Sequence, residues 1–201
     1  MRIGILGLQG AVREHRLSLQ ACGLLPENII TVKKPGELDD LQGLVIPGGE
    51  STTLGLLMTK YGFLEPIREK ARQGMGILGT CAGMVLLAGK INGHRQPTLG
   101  LLEMEIVRNG FGRQIESFET ELFLPDIDTH PGGTKPFPAV FIRAPYGINP
   151  GPRVQVLAAL GEKIVLARQG KLLACAFHPE LTADYRLHRY FLSLIAESHD
   201  E

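Results

Sequence analysis

Three side chains in this sequence have the types that nucleophilic catalysis needs: Cys81, His178 and Glu180. A cysteine attacks a carbonyl carbon as thiolate, so it needs a base, and the base needs a group that orients it. Cys81 is the centre of Gly79-Thr80-Cys81-Ala82-Gly83, between the apolar runs Gly76-Ile77-Leu78 and Met84-Val85-Leu86-Leu87-Ala88. Strand, tight turn and buried helix with a reactive side chain at the apex is the pattern of the G-x-S-x-G nucleophile elbow, with Cys for Ser. The glycines allow a strained turn that leaves no room for a Cβ. At the apex Cys81 stands at a helix N-terminus, where the dipole and free N–H groups favour thiolate. The Ala82 N–H then faces an oxyanion formed on the attacked carbon. Most free cysteines are small buried hydrophobes, so the elbow carries this chemistry only with a base.

The base is sought in His178-Pro179-Glu180, which follows the β-type run Leu172 to Phe177. Residues two apart in an extended segment project to the same side, and Pro179 biases His178 toward extended backbone. A carboxylate can then hold one imidazole nitrogen while the other faces a thiol. A second oxyanion donor is expected from Pro47-Gly48-Gly49, directly after the apolar run Leu44 to Ile46. Two glycines bring backbone N–H groups close to a ligand and let the peptide between them flip. The other histidines have weaker claims. His15 could approach the site or a partner, or lie on the surface. His94, His130, His188 and His199 are placed in loops or on polar faces without a role. No set of His, Cys, Asp and Glu has metal-ligand spacing.

The elements that must position these groups follow from periodicity and punctuation. Strands are expected at Arg2 to Leu8, Ile29 to Val32, Leu44 to Ile46 and before Cys81. Helices are expected over residues 11–22, stopped by Gly23, from Ser51 or Thr52 as N-cap through Lys60, and from Leu64 to Gln73. The first of these presents Val12, Leu17, Leu19 and Ala21 as its apolar positions. Alternating strands and helices give βαβ units and a mostly parallel sheet, whose site lies beyond the carboxyl ends of the strands. Gly7-Leu8-Gln9-Gly10, Pro47 to Ser51 and Gly79 to Gly83 all fall at such ends. The second half reads as short β runs: Glu103 to Val107, Ile115 to Leu124, Ala139 to Ile142, Val154 to Leu160, Lys163 to Arg168 and Leu172 to Phe177. Pro125 to Pro138 reads as a surface loop, and Thr182 to Glu197 as an amphipathic closing helix. The expected fold is α/β: one domain over residues 1–201, a three-layer sandwich with a mostly parallel central sheet and antiparallel additions in the C-terminal half.

Composition sets the outer limits. Lys plus Arg and Asp plus Glu each number 21, so the formal net charge is zero, and nothing in it points to a nucleic-acid or anionic-membrane surface. Three widely spaced cysteines, Cys22, Cys81 and Cys175, fit free thiols in a reducing compartment, and no apolar run approaches membrane-spanning length. A cytosolic protein is expected.

Pro47 to Thr53, Gly79 to Gly83 and Phe177 to Glu180 together resemble the triad (class I) glutamine amidotransferases, a flavodoxin-like group. Gly7 to His15, Arg108 to Gln114 and Phe141 to Pro145 resemble, more narrowly, the glutaminase subunit of the ribose-5-phosphate-dependent pyridoxal 5′-phosphate synthase. The resemblance runs from Arg2 to about Tyr190. It implies that Cys81 attacks the side-chain amide of glutamine, that His178 handles the protons and that Glu180 orients it. It implies glutamine binding at Gly49, Glu50, Ser51, Arg108, Ile142 and Arg143, with oxyanion donors at Gly48, Gly49 and Ala82. A zwitterionic amino acid needs an anion site and a cation site, which Arg108 or Arg143 and Glu50 could supply. The implied partner is a (β/α)₈-barrel synthase that consumes the ammonia within a large hetero-oligomer. Pyridoxal phosphate would be that partner's product, and this chain would need neither cofactor nor metal. The Gly48-Gly49 hinge would hold the oxyanion loop unformed until the partner flips it. The same triad would also serve a stand-alone cysteine hydrolase of γ-glutamyl amides. A redox-sensing Cys81 in a non-enzymatic module is a third reading, against which His178-Pro179-Glu180 argues, since a sensor thiol needs no oriented base.

Overall fold

The computed structural model describes residues 1–111, 117–127 and 135–197. The first half alternates as expected: β1 (Ile3–Leu6), α1 (Val12–Ala21), β2 (Ile29–Val32), β3 (Gly43–Ile46), α2 (Ser51–Lys60), α3 (Leu64–Arg72), β4 (Gly76–Thr80) and α4 (Ala82–Leu87). The second half is mainly strand: β5 (Ala88–Ile91), β6 (Leu102–Val107), β7 (Ser117–Leu122), β8 (Phe137–Ile142), β9 (Tyr146–Ile148), β10 (Gln155–Leu160), β11 (Lys163–Gln169) and β12 (Leu172–Cys175), closed by α5 (Arg186–Ala196).

Among the described residues the main sheet runs β2-β1-β3-β4-β12-β11-β9-β6-β5, with β10 paired to β11. Its first five strands are parallel. The β11 and β9 pairings that follow are antiparallel, and β5 lies parallel to β6. β1, β3 and β4 are buried at every position, as strands covered on both faces must be. The two covering layers can be read from two glycines of β4. Gly76 and Gly79 are an odd number of residues apart and so face opposite sides. A Cβ on Gly76 would meet Ile195 and Phe191 of α5, while one on Gly79 would meet Gly83 and Leu87 of α4. α1 packs with α5, and α2 with α4.

Several boundaries differ from expectation for local reasons. The run after Cys81 stops being helical at Leu87 and continues as β5, because its backbone pairs with β6. Glu50, not Ser51 or Thr52, caps α2: its carboxylate accepts from the N–H groups of Thr52 and Thr53. Phe137 and Pro138 belong to β8 rather than to the preceding loop, and residues 128–134 lie outside the described residues. The closing helix begins at Arg186, since Thr182 Oγ1 and Asp184 cap turns before it. On α1 the buried positions are His15, Ser18 and Leu19, whereas Leu17 is exposed.

Candidate active site

β1, β3, β4 and β12 end on the same edge of the sheet, and each delivers a loop there. The β4–α4 turn puts Cys81 at φ 48°, ψ −101°, a conformation that side chains with a Cβ avoid. The strain sits on the apical residue, while the flanking glycines solve a packing problem. A Cβ on Gly83 would lie 2.1 Å from the Ile46 carbonyl oxygen of β3, and one on Gly79 would lie 2.6 Å from the Gly83 carbonyl. The elbow can therefore sit down on β3 only without side chains at both positions. Ala82 opens α4, so its N–H lies in the first turn, where the helix offers no acceptor.

After β12 the chain leaves the sheet and Pro179–Leu181 forms a single 3₁₀ turn. This turn, not an extended segment, brings the two side chains together: His178 Nδ1 lies 2.7 Å from Glu180 Oε1, and both residues are buried. Burial pulls the His178 pKa down, but its hydrogen bonds with Cys81 and Glu180 more than reverse that and push it up to about 10. Burial likewise opposes the Glu180 charge, and the imidazoles of His15 and His178 more than offset it, so its pKa lies below the ordinary carboxylate value. Cys81, His178 and Glu180 thus form one connected set, as their residue types suggested.

The loop after β3 completes the edge. Gly48 packs on the pair, since a Cβ there would come within 3.3 Å of Cys81 Cβ and 2.5 Å of His178 Cε1. Its carbonyl oxygen turns toward Gly10, at φ 101°, where a Cβ would lie only 2.0 Å away. A trans peptide then directs the Gly49 N–H to the other side. Gln9, from the Gly7–Gly10 turn after β1, accepts from the Glu50 N–H and braces this loop.

A cleft of about 240 Å³ opens above Cys81. Of the expected residues, Cys81, Ala82, Gly49, Glu50, Ser51, Arg108, Ile142, Arg143 and His178 line it, joined by Val85, Asn109 and Pro145. Glu180 lies behind His178, and Gly48 against the Cys81–His178 pair. Three of the four described non-glycine residues at positive φ, Cys81, Asn109 and Arg143, line this one cleft. Backbone strain concentrates where a ligand needs groups in fixed directions.

The polar end of the cleft is a network around Arg108. Its guanidinium donates to Glu50 Oε1, Thr52 Oγ1 and Gln96 Oε1 at 2.9–3.1 Å. Gln96 in turn donates to the Ser51 carbonyl. Gln96 was not singled out by sequence, because it lies in an irregular segment with no periodic signal, and Thr52 was read only as a helix cap within the Pro47–Thr53 motif. Partial burial of Glu50 opposes its charge, but hydrogen bonds from Thr53 and Thr52 outweigh it and hold its pKa down to about 2. A depressed folded-state pKa stabilises above the unfolded value near 4.5 and loses that contribution as pH falls toward 2. Glu50 is about half exposed, so solvent screening limits the effect. Glu50→Ala is expected to lower Tm by about 2–4 °C at neutral pH, from loss of about 1 kcal/mol of capping. In thermal melts the gap to the parent should close between about pH 4.5 and pH 2.

His15 and His188 are both fully buried. His188 is thus not on a polar face, and the open placement of His15 resolves to the interior. The signal was available in the spacing: His15 shares a helical stripe with Val12 and Leu19. His130 and His199, and Gly112 to Gln114 of the Arg108 motif, lie outside the described residues. Among the described residues no group of three His, Cys, Asp or Glu is placed to hold a metal ion, and no helix is long and apolar enough to cross a membrane.

A mostly parallel α/β sheet with a strained cysteine elbow and a histidine–carboxylate pair at its strand ends is the arrangement that the resemblance to glutamine amidotransferases implies. The chain belongs to the SNO glutamine amidotransferase family, whose model matches residues 5–197. It is 54% identical over 192 residues to the pyridoxal 5′-phosphate synthase subunit PdxT of Pelotomaculum thermopropionicum, covering 96% of this chain and 94% of that one. It is 55% identical over 195 residues to the PdxT subunit of Desulforamulus reducens, covering 97% of this chain and all of the relative. A crystal structure of a glutamine amidotransferase superposes with a TM-score of 0.88 at 46% identity, over 98% of this chain and 100% of that one.

Proposed function

We propose that this chain, acting as one glutaminase domain, hydrolyses L-glutamine to L-glutamate and ammonia as the glutaminase subunit of a cytoplasmic pyridoxal 5′-phosphate synthase. The observation that carries the reading is the His178–Glu180 hydrogen bond beside Cys81, with Cys81 and His178 both lining a cleft sized for an amino acid. The relatives' shared name supports the assembly and the product.

The chemistry follows from the groups present. His178 takes the Cys81 proton, and the thiolate attacks the δ-carbon of glutamine. The oxyanion is met by the Ala82 N–H and by the Gly48–Gly49 loop. As the C–N bond breaks, the imidazolium gives its proton to the leaving nitrogen, releasing ammonia and leaving a glutamyl thioester on Cys81. Water then gives a proton to His178 and attacks the thioester. Collapse of that intermediate returns the proton to sulfur and releases glutamate. Glu180 holds the imidazole through both transfers without being consumed.

The amino acid's charged groups are matched by the Glu50–Arg108 end of the cleft and by the exposed Arg143. Arg108→Ala is expected to raise KM for glutamine by about 10- to 100-fold with a smaller change in kcat. Steady-state glutamate release checks it. An equal loss in kcat alone would place Arg108 outside the binding step.

Free ammonia is best consumed where it is made, so the partner is a (β/α)₈-barrel synthase subunit in a large hetero-oligomer. The Gly48–Gly49 peptide is the element a partner could turn, and activity should be low alone and rise on synthase binding. Glutamate release by the purified chain, with and without the synthase, tests this. Partner-stimulated release supports it, and full release unchanged by the partner would favour a stand-alone hydrolase.

A further inference from the structure

A buried polar chain continues behind the triad. Glu180 gives Oε1 to His178, while its Oε2 is buried without a hydrogen-bond partner among the described residues. His15 Nε2 lies 3.5 Å from that oxygen and 3.1 Å from Thr80 Oγ1. On its other side His15 Nδ1 lies 3.1 Å from His188 Nε2, and His188 Nδ1 is again buried and unpartnered. α1 and α5, whose histidines are 173 positions apart, thus meet directly beneath the catalytic turn.

Hydrogen bookkeeping selects one arrangement. Burial lowers the pKa of both imidazoles, that of His188 to about 3, and in the neutral pair each ring carries one N–H. A proton on His15 Nδ1 would turn the His15 Nε2 lone pair toward a carboxylate. It would also leave the His188 proton on Nδ1, a buried donor without an acceptor, which costs about 1–3 kcal/mol. A proton on His188 Nε2 instead donates to His15 Nδ1. The His15 proton then sits on Nε2, between Thr80 Oγ1 and Glu180 Oε2, and the orphan His188 Nδ1 is only a lone pair.

We propose that His15 is a positioning residue for the catalytic base: its Nε2–H, set by donation from His188, faces the free oxygen of Glu180 and fixes the carboxylate that aims His178 at Cys81. The inference rests on the reading of Cys81, His178 and Glu180 as a triad and extends it inward to α1 and α5. Without that N–H no polar hydrogen faces the buried Oε2, and the carboxylate either rotates or takes up a proton. Either change releases the imidazole from its aim at Cys81. The titratable groups facing the cluster are Glu14 from α1, His178 and Glu180 from the turn, Cys81 from the elbow, Cys175 from β12 and His188 from α5.

The test is the pH dependence of Cys81 alkylation by iodoacetamide on the whole chain, followed on the Cys81 peptide by mass spectrometry. It needs neither glutamine nor a partner. Glutamine at position 15 can place an N–H where Nε2 stood; asparagine can reach only the Nδ1 position, and leucine neither. His15→Leu and His15→Asn are expected to slow alkylation at pH 7 by about 10- to 100-fold, with the profile moved to higher pH, and His15→Gln to recover most of the rate. Folded Leu and Asn variants with the parent's profile would overturn the proposal, as would a folded Gln variant as slow as Leu. A parent whose Cys81 reacts no faster than an ordinary thiol would contradict the triad reading itself. Should these variants not fold, ¹⁵N spectra of the parent's imidazoles decide: Nε2–H tautomers at both His15 and His188 support the proposal, and an Nδ1–H tautomer at His15 overturns it.

Discussion

Cys81→Gly is expected to abolish glutamine hydrolysis and yet fold more stably than Cys81→Ala by about 1 kcal/mol. Both variants lose the nucleophile, and removing a nucleophile that works with a base costs about 10⁴-fold or more in rate. The stability difference comes from the backbone. At φ 48°, ψ −101° a Cβ is badly placed, a strain of about 2–3 kcal/mol that glycine removes. Against this, glycine forgoes burial of one methyl group, about 0.8 kcal/mol, and brings a floppier unfolded chain, about 0.5–1 kcal/mol. The strain term wins by a small margin. Urea titrations of the two variants measure it. A glycine variant less stable than alanine would mean that the elbow stores no strain, and the apical conformation would need another explanation.

Gly83→Ala is expected to cost about 3–5 kcal/mol and to remove activity with it. The new Cβ would stand 2.1 Å from the Ile46 carbonyl oxygen. That oxygen belongs to the buried middle of the sheet, where β3 pairs with β1 and β4, so it cannot yield as a flexible side chain would. α4 must instead lift off β3, carrying Cys81 and the Ala82 N–H away from His178. Alanine is intrinsically the better helix former by about 1 kcal/mol, so propensity alone gives the opposite sign. Denaturant midpoints beside glutaminase rates distinguish the two. A variant as stable as the parent would show that the elbow does not rest on β3.

These two positions also show how far the sequence reaches. The elbow, the His178-Pro179-Glu180 turn and the Gly48-Gly49 loop were legible because each is a local pattern of special residues at a strand end. The parallel half of the sheet was legible because β1, β3 and β4 are short continuous apolar runs between glycines. What stayed hidden depends on contacts far apart in the chain. Ser51 and Thr52 are good caps by type, but Glu50 accepts from the N–H groups of Thr52 and Thr53 and also meets Arg108, 58 residues away. Ala88, the first residue of β5, reads as part of the helix begun at Met84 until the pairing of β5 with β6 is known. His15 was left open between the site, a partner and the surface, and His188 read as a polar-face position, because nothing local announces that their helices meet. The turn at Pro179 gave the right contact for a different reason, since His178 and Glu180 meet across a 3₁₀ turn and not along an extended strand.

Covalent catalysis on glutamine at Cys81 can be seen in intact-protein mass after acid quenching during turnover with L-glutamine and the synthase partner. A fraction of the chain is expected to be heavier by one glutamyl group, mapped to the Cys81 peptide and absent from Cys81→Gly. Steady glutamate release with no adduct on Cys81, or an adduct on another residue, would contradict it.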